Sequence, residues 1–226
     1  LLLPEVAEHA EVGRLAVVRR AIASIEVDAD VVVIASPHGK ATGVYARNSG
    51  DLSDFGVDFH AEWARDGDVS RLLVSEWGQP MLRHVPDHGI VVPLACMDLR
   101  GTPVVAVSFE DGPDPWDAAG TLWGAVAKLG LERRVLFIAS ANGSSGLTPK
   151  APLTELDGAH DAEDGLEYAL RNEVGQLVTA APIAADAGSC GLGPLVAFGA
   201  LFSQRKAELL AHEWPFGVGY LVATAK

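Results

Sequence analysis

Between Asp30 and Gly39 the chain reads DVVVIASPHG, four apolar β-formers in a row, then two small residues, a proline, a histidine and a glycine. An apolar run without alternation is the pattern of a strand covered on both faces, the kind found in parallel or mixed sheets covered by helices. Pro37 lacks an amide hydrogen for a central ladder and Gly39 frees the backbone, so the strand is expected to stop there. His38 is then presented at its carboxyl end, where open α/β sheets place their sites.

The rest of the chain supplies the elements such a sheet needs. GRLAVVRRAIASIE, from Gly13 to Glu26, spaces Leu15, Val18, Ile22 and Ile25 as one face of a helix. A short strand is expected at Gly43–Ala46, inside a loop rich in Gly, Asn, Asp and Ser. Asp66–Trp77 reads as a helix with Asp68 as its cap, and Val69, Leu72, Leu73 and Trp77 on one face. Pro86–Gly89 read as a turn, and Ile90–Met97 as a helix despite Pro93. Pro103–Phe109 and Arg133–Ser140 are two further buried strands. Between them, Asp114 caps a helix with Pro115 in its first turn, ended by Gly130 after Leu129.

Further on, Ala159–Thr179 predicts one or two helices, and AADAGSCGLGPLVAFGALF a glycine-rich turn before a helix over Pro194–Phe202. Phe216–Ala223 predicts a last strand. Alternating helices and buried strands indicate a layered α/β fold, an αβα sandwich around a mixed and largely buried sheet, and 226 residues suit one domain spanning 1–226.

A formal net charge of −13 argues against nucleic-acid partners, since that binding rests on lysine and arginine neutralising phosphates. Cys96 and Cys190 are far apart and form no CxxC pair, which fits a reducing cytoplasm. No apolar run reaches the length of a membrane span, so no membrane partner is expected.

Three glycine-containing turns display groups able to do chemistry: His38, His88 and Cys190. Two histidines with one anionic ligand and open positions is the arrangement non-haem iron uses to bind oxygen and substrate, while thiolate and imidazole also suit copper or zinc. Cys190 equally suits a small buried position under the following helix. His60, His84 and His212 read as surface or loop histidines, Cys96 as core, and Asp51 and Asp54 as turn formers. Asp186 reads as shaping the turn before Cys190.

The order strand-SPHG, GDLSDFG, DHGIVVPL, RRVLFIASANGSSGLTP and AGSCG resembles the LigB-type class III extradiol dioxygenase superfamily, which includes the Memo-like proteins, over nearly the whole chain. The resemblance implies a single metal site and, in catalytic members, an Fe(II) that binds a small catechol-like aromatic diol and O2 and opens the ring beside the two hydroxyls. His38 matches the family's second metal histidine. Cys190 falls where dioxygenases hold a glutamate and Memo-like proteins a cysteine. His88 matches a second-sphere histidine that bonds substrate or oxygen.

The family's loop acid/base histidine falls on Ser145 and its neighbouring aspartate on Asn142. Its first metal histidine is expected on a strand ahead of Leu1, outside this sequence. Thiolate in place of carboxylate softens the site toward copper or a redox role. The implied function is therefore an Fe(II)-dependent ring-cleaving oxidoreductase, or a Memo-like metal-binding protein with copper or iron. A third reading is a subunit without metal that supports a catalytic partner, so homo- and hetero-oligomers both fit the family.

Overall fold

The computed structural model describes residues 12–110 and 115–226, which fall into two compact units. One unit is Glu26–Ser140; the other joins Ala141–Lys226 to the segment before Glu26. Asp114, the expected cap of a helix, lies outside the described residues. The first described element, α1 (Val12–Ala23), belongs to the second unit and buries Leu15, Val18 and Ile22. It stops before the expected Glu26, and the Ser24 hydroxyl donates back to the Ala21 carbonyl at 2.8 Å.

In chain order the Glu26–Ser140 unit contains β1 (Val31–Gly39), β2 (Gly43–Tyr45), β3 (Ser49–Asp51), β4 (His60–Glu62), α2 (Gly67–Trp77), β5 (Met81–Leu82), α3 (His88–Cys96), β6 (Val104–Glu110), α4 (Trp116–Leu129) and β7 (Val135–Ala139). Five strands form a mixed sheet in the order β5-β2-β6-β1-β7, and β3 and β4 make a separate antiparallel pair. β1 is central, parallel to both β6 and β7, whereas β2 runs antiparallel to β6 and parallel to β5.

Both faces of β1 are covered, as its unbroken apolar run requires. Val32 and Ile34 join Val104 and Ala106 of β6 and Ile90 and Leu94 of α3 in one apolar cluster. Residues of the other parity, Val31, Val33 and Ala35, are equally buried. On that opposite face Phe109 meets Trp77 of α2 edge to face, with ring centroids 5.7 Å apart. Helices thus lie on both sides of a mixed sheet, the layered α/β arrangement expected from the sequence.

β1 does not stop at Pro37. It runs on to Gly39 by means of a bulge: the chain advances from Ser36 to Gly39 while β6 advances only from Ser108 to Glu110. The bulge removes the demand for a ladder hydrogen bond that Pro37 cannot donate, which lets a proline sit in a central strand.

Several boundaries differ for local reasons. The cap of α2 is Asp66, not Asp68: the Asp66 carboxylate accepts from the amides of Asp68 and Val69, both at 2.9 Å. α3 starts at His88 instead of Ile90, because Asp87 caps it by accepting from the Gly89 amide at 2.8 Å. Pro115 flanks α4 instead of opening its first turn, and Gly130 after it is right-handed helical, φ −63°, so it ends the helix without a left-handed cap.

The second unit contains α5 (Ala159–Asn172), α6 (Leu177–Asp186), α7 (Leu192–Leu201), β8 (Ala207–Glu213) and β9 (Tyr220–Ala225). α5 and α6 are separated by a short 3-10 turn over Val174–Gln176. Leu166, Leu170, Val174, Leu177 and Ala184 form its core, with Phe198 and Leu221 packed against them. β8 has no counterpart in the sequence reading; it pairs antiparallel with β9. β9 begins at Tyr220 and not at Phe216, since Phe216 has a left-handed φ of 57° inside a 3-10 turn. No helix among the described residues is long and apolar enough to cross a membrane.

Candidate functional site

The bulge in β1 and the start of α3 bring two of the expected residues together. The imidazoles of His38 and His88 stack with centroids 4.3 Å apart and planes inclined by 28°. Phe55, itself 52% exposed, sets its ring edge against His88 at 5.0 Å. Burial holds the His88 pKa below its ordinary 6.5, and the neighbouring His38 charge adds to the shift against the opposing pull of Asp87. His88 is therefore neutral at neutral pH and able to accept a proton.

Asp87 organises this corner. One carboxylate oxygen accepts from the Ser36 hydroxyl at 2.5 Å and from the Gly89 amide at 2.8 Å. The other accepts from the Tyr45 hydroxyl at 2.9 Å. Burial, and then the Asp87 charge, push the Tyr45 pKa well above its ordinary value, so the phenol stays a donor. Only glycine fits at 89: a Cβ there would sit 2.3 Å from the Ser36 hydroxyl oxygen. The DHG triplet is thus a cap, an imidazole and a close approach of α3 to β1.

His84, expected at the surface, is half-buried, with its ring edge-on to Tyr45 at 5.2 Å and its Nε2 buried without a hydrogen-bond partner among the described residues. His60 is exposed as expected, and Asp51 does form a turn, accepting from the Ser53 amide at 3.0 Å. Cys96 ends α3 half-buried, not in the core.

In the second unit the turn before α7 carries Cys190, with Asn142 as its hub. The Asn142 side chain donates to the Ser145 hydroxyl at 2.6 Å and accepts from the Cys190 amide at 3.1 Å. The Asn142 amide in turn approaches the Cys190 sulfur at 3.4 Å, and the Ser189 hydroxyl donates to the Asn142 carbonyl at 2.7 Å. Ser145 and Cys190 are therefore linked through one carboxamide. Burial, followed by the Cys190 charge, raises the pKa of Tyr220. Asp186 is the exposed last residue of α6.

His212, also read as a surface residue, is largely buried between two carboxylates. Its Nε2 lies 3.0 Å from Glu163 and its Nδ1 2.7 Å from Glu167. Sequence reasoning missed Asp87 and Glu163. An aspartate three residues before an apolar helical run is a legible cap signal. Glu163 gave none, because a glutamate within an acidic helix reads as solvated.

His38 belongs to the Glu26–Ser140 unit and Cys190 to the other. Imidazole and thiolate are suitable donors for iron or copper. Among the described residues, however, no group of three or more His, Cys, Asp or Glu side chains is arranged to hold a metal ion. The donors described fit a metal in kind but do not complete a ligand set.

No family model matches the chain, and no curated protein matches it. Among solved structures it is similar to the crystal structure of the uncharacterized protein JW3007 from Escherichia coli K12, with a TM-score of 0.64 and 18% identity, covering 91% of this chain and 89% of that one. At this identity the likeness establishes the α/β fold alone.

Proposed function

We propose that this chain is a homologue of the extradiol ring-cleaving dioxygenases that binds a small aromatic diol beside the His38–His88 pair. The observation that carries the reading is the stacking of those two imidazoles at 4.3 Å at the end of the central strand, on the two motifs whose order suggested the family. His38 is the residue in this unit that would hold the metal, and Fe(II) bound there supplies Lewis acidity toward the diol and a place for O2. Neutral His88 accepts a proton from a diol hydroxyl, and Asp87 fixes the helix start that carries it. Phe55 offers an apolar edge to a planar ring.

The test is O2 uptake by purified protein reconstituted anaerobically with Fe(II), over a panel of catechols. Turnover that falls by about a hundredfold or more in His88→Gln is expected, and no uptake over the whole panel overturns the reading.

Asn142 and Ser145 favour a second reading, a Memo-like metal-binding protein without ring cleavage. The two are bonded to each other at 2.6 Å, and neither an amide nor an aliphatic hydroxyl replaces a histidine as proton donor. Copper or iron binding that is lost in Cys190→Ser supports this reading; tight binding unaffected by the substitution argues against it.

A further inference from the structure

Glu163 is 3% exposed, yet it is a carboxylate on an acidic helix. Its Oε2 accepts from the Ser144 amide at 2.8 Å and its Oε1 faces His212 at 3.0 Å. Two glycines close on it: a Cβ at Gly143 or Gly219 would lie 2.2 or 2.0 Å from a carboxylate oxygen. The same glycines join the loop to the turn before β9. Gly143 donates to the Gly219 carbonyl, and Gly219 donates to the Ser144 carbonyl, each at 2.8 Å. Leu147 extends this short ladder by donating to Gly217 at 3.0 Å. The loop so held carries Asn142, and hence the contacts that define the Cys190 turn.

The ring of His212 has acceptors on both sides. Carboxylate oxygens lie 2.7 Å from Nδ1 and 3.0 Å from Nε2, and a neutral imidazole has one N–H to give. Both contacts are hydrogen bonds only when the ring is protonated. Arg171 stands behind Glu167 at 2.7 Å, so Glu163, His212, Glu167 and Arg171 alternate in charge. Trp214 covers the ring edge-on at 5.4 Å. His212 pairs across the hairpin with apolar Leu221. Among the described side chains, the other charged residues on the elements packed against β8 are Arg19 and Arg20 of α1, Asp161 and Asp164 of α5, Glu208 and Glu213 of β8 itself, and Lys226 after β9, and the other titratable ones are His160 and Tyr168 of α5 and Tyr220 of β9.

We propose that His212 is a pH-sensitive latch: as an imidazolium it pairs with buried Glu163, which holds the 142–147 loop and the Cys190 turn, and on losing its proton it releases that loop. Loss of the proton leaves one of the two carboxylates without its partner. For Glu163 that means a buried charge held by a single amide, a costly state relieved by opening the loop to water. The direction of the His212 shift agrees: hydrogen bonding to Glu163 raises its pKa against the opposing effect of burial, with Glu167 adding to the rise. The folded value lies above the ordinary 6.5, so the contribution is complete below 6.5 and is lost as pH rises through the folded value.

The test is amide hydrogen exchange of the whole chain, corrected for the intrinsic effect of pH, together with NMR titration of the His212 ring. Protection over 143–147 is expected to fall about tenfold between about pH 6 and pH 9, with the midpoint at the His212 pKa. Segments of β6 serve as a control and show no step. His212→Gln should give low protection at both pH values. Should that variant fail to fold, Glu167→Gln keeps an acceptor at Nδ1 but removes its charge, and moves both the His212 pKa and the protection step downward together. Flat protection in the unsubstituted protein, or a step unmoved by Glu167→Gln, overturns the latch.

Discussion

The Asp87 carboxylate and the Ser36 hydroxyl meet at 2.5 Å, tying the first turn of α3 to the central strand next to the β1 bulge. Ser36 is fully buried, so its hydroxyl has nowhere else to turn. Asp87→Ala removes a helix cap worth about 1 kcal/mol and takes the carboxylate acceptor away from the Ser36 and Tyr45 hydroxyls, at roughly 1–3 kcal/mol each. Urea denaturation is expected to show a loss of about 3 kcal/mol or more. Asp87→Asn, which keeps an oxygen for the cap, should lose clearly less.

Gly89 and Ser36 should be energetically coupled. The Cβ of an alanine at 89 would lie 2.3 Å from the Ser36 oxygen and 2.9 Å from an Asp87 oxygen, and those atoms are bonded to each other. Gly89→Ala is expected to cost about 1–3 kcal/mol by overpacking. Adding Ser36→Ala removes the nearer atom. A double-mutant cycle should therefore give a combined loss smaller than the sum of the single losses, whereas strict additivity would mean that the contact is relieved by backbone movement.

What the sequence revealed and what it hid follow from where the signals reside. β1 is legible because burial on both faces forces an apolar run, and both covering layers are present. His38 and His88 were each legible as turn residues, but their stacking depends on a bulge at Pro37 that no local pattern announces. β8 was missed because AELLAHE lacks the β-branched and aromatic residues that mark strands, and it is held by its pairing with β9. Buried Glu163 was illegible for a like reason. Its partners Ser144, His212 and the two glycines come from three separate stretches, and its own helix looks amphipathic and solvated.

The stacked histidines predict an interdependent titration. NMR should find the His88 pKa below 6.5, and His38→Gln should raise it, since one of its depressing influences is removed while burial remains. The sign for stability follows. With the folded value below the unfolded one, the contribution of His88 is intact above about 6.5 and is lost as pH falls through the folded value. In His38→Gln that acid-side loss should be smaller. An unchanged His88 pKa would mean that the two rings do not share their charge.

Gly219 should resist substitution more firmly than any sequence pattern suggests. An alanine Cβ there would lie 2.0 Å from Oε1 of Glu163 and 2.4 Å from its carboxyl carbon. The carboxylate cannot retreat cheaply, because the Ser144 amide holds one oxygen at 2.8 Å and His212 faces the other at 3.0 Å. Gly219→Ala is thus expected to cost about 1–3 kcal/mol in denaturant unfolding, with the earliest loss of amide protection at the 142–147 loop. Glu163→Asp draws the carboxylate back toward α5 and should partly offset the substitution when the two are combined. A Gly219→Ala protein as stable as the original would mean that Glu163 leaves its cradle without penalty.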